Sequence, residues 1–194
     1  MRHIILSSFL VWLNYRQQTW KIVPKFAQAL VYIMFINSSY YYFFKNHILW
    51  ELQSNNLKLK ELRVIHIFII TPLIFLLCMV NLPKEDVRLQ IRHILKWSFK
   101  CAFVEYMGLK TKMIYFQNGW NIFWSWLIYI FLFSFGYVYT KKPFIIWTVS
   151  IPTIFFFIIK FKAPLRRMML LGPVILLVRR VGLINMMKTF PEDA

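Results

Sequence analysis

The chain has 194 residues, of which 59% are hydrophobic and 20% aromatic, while only 16% are charged. Soluble domains average roughly 45–50% apolar residues, and 20 Phe, 10 Tyr and 8 Trp set against 7 acidic residues leave too little polar surface to cover one core, which excludes an ordinary soluble domain. The net charge of +17 does not point to nucleic acid, because the cations sit between apolar runs, at Lys58, Lys60 and Arg63, at Lys84, Arg88 and Arg92, at Lys141 and Lys142, at Lys160, Lys162, Arg166 and Arg167, and at Arg179 and Arg180. That is where a membrane protein keeps charge near headgroups, and no nucleic-acid-binding motif accompanies it.

Residues 1–25 begin with a cation and an apolar run, Ile4 to Leu13, in the manner of a signal peptide. Asn14-Tyr15-Arg16-Gln17 offers no small-residue cleavage site, so this segment is expected to be retained and to lie at the interface. Residues 26–44 have the length of one bilayer crossing and end in Tyr40-Tyr41-Tyr42, rings suited to the interface. Asn37-Ser38-Ser39 interrupts their apolar character, and such short side chains bond to carbonyls of their own or a neighbouring helix. Residues 45–61 carry Gln53-Ser54-Asn55-Asn56 and read as a solvated loop.

Residues 62–82 form the strongest apolar run, and Thr71-Pro72 near its middle predicts a kinked spanning helix. After Pro83-Lys84-Glu85-Asp86, whose acids suit a helix N-terminus, a third helical pattern runs to Leu109. Arg92, Lys96 and Lys100 form a cationic stripe on it, nearly opposite Ile94, Ser98, Cys101, Glu105 and Gly108. Residues 93–109 therefore admit two placements, spanning or interfacial. Residues 120–139 are flanked by Trp120, Trp124 and Trp126 at one end and Tyr137 and Tyr139 at the other, the aromatic belts of a span. The turn Lys141-Lys142-Pro143 leads into an antiparallel span over 143–161, interrupted by Ser150-Ile151-Pro152. Residues 163–194 form a basic tail expected to bind anionic headgroups; its apolar run Met168 to Val178 is too short for a span.

The fold expected is an all-α polytopic transmembrane bundle of four to five spans plus interfacial helices. Cation counting puts the C-terminus in the cytoplasm either way: 18 against 6 if residues 93–109 lie on the surface, 13 against 11 if they span.

Glu105 is the ionisable residue of most interest, since it lies within an apolar helix where a carboxylate costs about 2.5–3.5 kcal/mol to insert. It could handle protons or cations, or make a structural hydrogen bond to Lys112 or to a Trp N–H. Trp120, Asn121 and Ser125 complete the candidate polar site, although Asn118-Gly119 and Trp120 are also explained as a turn and an interfacial anchor. His3, His47, His66 and His93 lack metal-ligand spacing, Cys78 and Cys101 read as small apolar residues, and no phosphate loop or Gly-flanked nucleophilic Ser is present, so no metal, cofactor or enzymatic activity is expected.

The pattern Glu105-Tyr106, Lys112-Met113-Ile114-Tyr115, Asn118-Gly119-Trp120-Asn121 and Trp124-Ser125 resembles a family of small, uncharacterised multipass membrane proteins of spore-forming Firmicutes. The resemblance covers Ile70 to Lys142 and, loosely, extends to Pro164. It implies a four- or five-helix bundle in the cell membrane, without an assigned reaction, linked to sporulation by host range. Residues 93–109 look more hydrophobic in similar proteins; Lys96 and Lys100 depart from that. The expected function is a non-enzymatic structural or accessory membrane protein, the alternative being a small transporter or channel component using Glu105. Partners are membrane lipids, with protein partners or a homo-oligomer left open.

Overall fold

A computed structural model describes residues 2–163, apart from residues 55 and 85. The basic tail expected over 163–194 lies, from residue 164 onward, outside the described residues. Six helices dominate: α1 (Arg2–Arg16), α2 (Val23–Phe43), α3 (Leu59–Val80), α4 (Val87–Lys110), α5 (Ile122–Tyr139) and α6 (Pro143–Lys160). The architecture is mostly helical, as expected, with one addition. Two three-residue strands, β1 (Trp50–Leu52) and β2 (Ile114–Phe116), pair antiparallel with Glu51 opposite Tyr115.

Local chemistry marks the helix boundaries. Gln18 takes a left-handed conformation, φ 54°, between α1 and a 3-10 turn, and Pro24 follows in the first turn of α2. The Glu61 carboxylate accepts the Lys58 N–H at 2.9 Å at the start of α3. Asp86 caps α4 through the Arg88 N–H at 2.7 Å, and Asn121 caps α5 through the Phe123 and Trp124 N–H groups at 3.0 and 3.3 Å. Pro143 opens α6, where a missing N–H costs nothing. The irregularity expected at Thr71-Pro72 is a π turn over His66–Ile70, closed by the Thr71 N–H on the His66 carbonyl. Asn37, Ser38 and Ser39 donate back to Ile33, Met34 and Phe35 carbonyls, which accounts for polar side chains in an apolar helix.

The helices from α2 onward alternate in direction. The ribbon marks one end of the bundle, where α3 and α5 start and α2, α4 and α6 finish. On α2, Phe26 meets Phe75 and Tyr32 stacks on Tyr139, whereas Tyr40 reaches the ribbon; α2 thus runs antiparallel to α5. On α4, Glu105 bonds Ser125 in the first turn of α5, and Ile94 shares a core with Phe133. Helix α1 docks beside α3: His3 bonds the Gln53 carbonyl near the ribbon, Asn14 donates to the Leu73 carbonyl, and Gln17 accepts from Asn81 at the far end.

Among the described residues, three helices are long and apolar enough to cross a membrane: Leu59–Val80, Ile122–Tyr139 and Pro143–Lys160. The expected count of four to five spans is not supported on this ground. The residues of α2 include Asn37, Ser38, Ser39 and four tyrosines, and α4 carries Arg88, Arg92, Lys96, Lys100 and Lys110.

Apolar side chains gain little by leaving lipid for one another, so helix contact in a bilayer rests on close packing and hydrogen bonds. Gly136 on α5 meets that need: the Phe75 ring of α3 occupies the space that a Cβ would take, with Ile33 of α2 beside it. Gly136→Ala is expected to cost about 1–3 kcal/mol by overpacking, read as a lower unfolding temperature in detergent. An unchanged transition would show that the Phe75 contact is not a constraint.

Candidate functional site

The ribbon end holds the two buried acids, Glu51 and Glu105. Residues 45–61, expected to be solvated, are exposed at Lys45, Asn46, Gln53, Asn56 and 58–61, but their middle tucks inward: Leu49, Glu51 and Leu52 are buried, and Glu51 is 0% exposed. The reason is strand pairing, because Ile114 to Phe116 take up the backbone of Trp50 to Leu52. The ladder is extended by the Gln53 N–H to the Met113 carbonyl at 2.7 Å and the Gln117 N–H to the Leu49 carbonyl at 2.8 Å. Tyr40 closes the outer edge of β1. Its hydroxyl accepts from the Leu49 and Trp50 N–H groups at 3.2 and 2.8 Å and donates to the Trp50 carbonyl at 2.7 Å. An edge that would otherwise present bare polar groups is thereby satisfied.

Two acids lie in this layer. Glu51 is held by Arg63 of α3, whose Nε reaches both carboxylate oxygens at 3.1 Å and whose Nη2 makes a closer contact with Oε2. The guanidinium also lies over the Tyr41 ring, 5.0 Å from its centroid. Among the described residues this is the one ion pair. Across the strand pair, burial and then the neighbouring Glu51 charge push the Tyr115 phenol above its ordinary range, so it remains a neutral hydroxyl. His66 sits beside the same cluster, 3.2 Å from the Tyr41 hydroxyl and 3.2 Å from the Thr71 hydroxyl, with its ring against Trp50.

Glu105 is buried, 4% exposed, and accepts the Ser125 hydroxyl at 2.6 Å. Ser125 in turn accepts the Trp120 indole N–H at 2.9 Å. The Tyr129 side chain, one turn on, and the Trp50 indole of the ribbon both lie near the same carboxyl, and the Trp50 N–H closes no hydrogen bond. The five residues expected to form the site are thus divided. Glu105, Ser125 and Trp120 come together; Asn121 caps α5 through its backbone neighbours; Lys112 is exposed in a left-handed turn, φ 57°, and makes no ion pair with Glu105. The spacing of seven residues suggested a shared helix face for Lys112, but α4 ends at Lys110 and the chain turns away into β2.

The Glu51–Arg63 pair is absent from the sequence reading because a polar loop next to a helix start carries no sign of burial. The one available signal was the alternation Leu49, Glu51 against Trp50, Leu52 beside the β-branched and aromatic run at 114–116. Among the described residues no three His, Cys, Asp or Glu side chains converge on a common point. Chemically, the layer ties four helices and two strands together through side-chain hydrogen bonds, with both acids occupied by donors.

Arg63→Ala is expected to destabilise the protein by about 3–5 kcal/mol, because it leaves the Glu51 charge buried and unpaired. The double variant Glu51→Gln with Arg63→Gln is expected to lose less than Arg63→Ala alone. Thermal unfolding in detergent reads both, and equal losses would mean that the pair is not coupled. Ser125→Ala should cost about 1–3 kcal/mol by removing the donor to Glu105, checked in the same assay.

Comparison with protein-family models, with curated proteins and with solved structures finds no match to this chain.

Proposed function

We propose that the protein is a non-enzymatic integral membrane protein, a structural or accessory component in which α2 through α6 all cross the bilayer. The observation carrying this reading is the enclosure of both acids: Glu51 by Arg63, and Glu105 by Ser125. A carboxyl that relays protons or cations lines a water-filled route. Here the partners are a hydroxyl group and an arginine that hold helices in register.

Five crossings are supported by the antiparallel course of α2 and α4 along α5, since a helix packed along a span shares its depth. Each also shows lipid-compatible faces, with Val31 and Phe35 exposed on α2 and Phe99, Phe103 and Val104 exposed on α4. Helix α1 has 15 residues, about 22 Å at 1.5 Å per residue, short of a full crossing, and serves as a brace beside α3. With α4 crossing, the 13 to 11 division of cations supports a cytoplasmic ribbon end, shared with the C-terminal end of α6. The resemblance to membrane proteins of spore-forming bacteria supports the cell membrane as the location and, by analogy alone, a link to sporulation.

Single cysteines at positions 17, 84 and 141 are expected to label from one face of the membrane, and those at 53 and 117 from the other. If 84 and 117 label from the same face, α4 does not cross. In liposomes loaded with a pH-sensitive dye, neither the wild type nor Glu105→Gln is expected to carry flux. A flux abolished by Glu105→Gln would replace this reading with a transporter or channel component.

A further inference from the structure

The bundle is incompletely closed on one side. Helices α2 and α6 both pack on α5, yet between them runs an apolar cleft of about 140 Å³, open along its length. Its walls include Ile36 and Phe43 of α2, Leu132 and Phe135 of α5, and Ile154 and Phe157 of α6. At the far end the walls meet: the Tyr32 and Ser150 hydroxyls lie 2.6 Å apart, and Trp147 stands edge-on to Tyr32 and Phe35. Toward the ribbon end, the cleft reaches Phe44, Leu49 and Trp120.

The polar groups along this cleft already have partners. Asn37 and Ser39 donate to Ile33 and Phe35 carbonyls, Thr153 to Val149, Ser150 to Ile146, and Tyr40 is committed to the β1 backbone. No side chain there requires a polar ligand. An apolar space of this size does not hold water stably, and leaving it empty forfeits the dispersion contacts of its walls. In a bilayer the molecule at hand is an acyl chain. The charge at the open end completes the case: Lys45, directly after Phe44, and Lys160 and Lys162, flanking Phe161, are exposed where the cleft reaches the ribbon end.

We infer that this cleft binds one anionic membrane phospholipid, with an acyl chain between α2 and α6 ending at the Tyr32–Ser150 contact and the headgroup phosphate among Lys45, Lys160 and Lys162. The inference rests on the reading that these helices cross the membrane, and it adds a resident ligand to it. Each cation beside an anionic headgroup is worth about fivefold in affinity, so three give a preference of at least about tenfold even when partly screened.

The test uses the full chain, purified in detergent, incubated with equimolar phosphatidylglycerol and phosphatidylcholine, repurified, and analysed for bound lipid by mass spectrometry. The wild type is expected to retain one lipid, with phosphatidylglycerol favoured at least about tenfold. Replacing Lys45, Lys160 and Lys162 together by Gln should retain the lipid and bring the preference close to parity. Thr153→Phe, which fills the cleft, should lower bound lipid by at least about fivefold. Ile36→Trp fills it from the opposite wall and keeps the test decisive if one variant fails to fold. A wild type that holds no lipid, or both lipids equally, overturns the inference, as does retention undiminished in the folded filled variant. Cysteine labelling reads the crossings independently, so five crossings with an empty cleft would sink this inference alone.

Discussion

The pairing of residues 50–52 with 114–116 is the contact on which the rest of the bundle end depends. It joins the loop between α2 and α3 to the loop between α4 and α5 in one ribbon, and in doing so carries a glutamate out of water. A buried carboxyl needs a partner, and Arg63 in the first turns of α3 supplies a cation for Glu51. The ribbon also brings Trp50 between the two acids, against the His66 ring on one side and facing Glu105 on the other. Strand pairing at a membrane boundary is tolerable only when the free edge is covered, and Tyr40 covers it with a single hydroxyl serving three backbone groups.

Hydrogen bonds of this kind carry more of the specificity here than apolar burial does, since lipid and protein interior are similar solvents for Leu or Phe. Glu105 illustrates the point. Its bond to Ser125 fixes the register of α4 on α5, and the Trp120 indole that donates to Ser125 also packs against Phe157 and Phe161 of α6. One carboxyl thus links three helices. Ser98 and Ala102 are small buried residues on the same face of α4 as Glu105, while at Gly108 the Ile114 side chain of β2 takes the space a Cβ would fill.

The opposite situation holds between α2 and α6, where aromatic contacts close only the far end. The Tyr32–Ser150 hydrogen bond joins the helices at that end; toward the ribbon, bulky side chains line both walls, and Ser39 and Thr153 bond within their own helices rather than across the gap. The gap follows from the same rule that closes the α4–α5 interface: where a polar pair or a small residue is absent, packing alone does not bring helices into contact.

Three helices apolar and long enough to cross a membrane, most helix positions and their turns were legible in the sequence, because they follow from local properties: apolar runs of bilayer length, aromatic residues at both ends of Trp120 to Tyr139, prolines and cappers at helix starts. Glu105 and Ser125 were legible as a polar site for the same reason, an acid standing out against an apolar helix. What the sequence by itself could not decide was every partner. Lys112 lay at helical spacing from Glu105, but the helix ended first; Glu51 sat in a polar loop, but a strand 64 residues away buried it. Whether a polar residue faces water, lipid or another side chain is set by which distant segments meet, and only the tertiary structure, through the ribbon and the order of the helices, determined that.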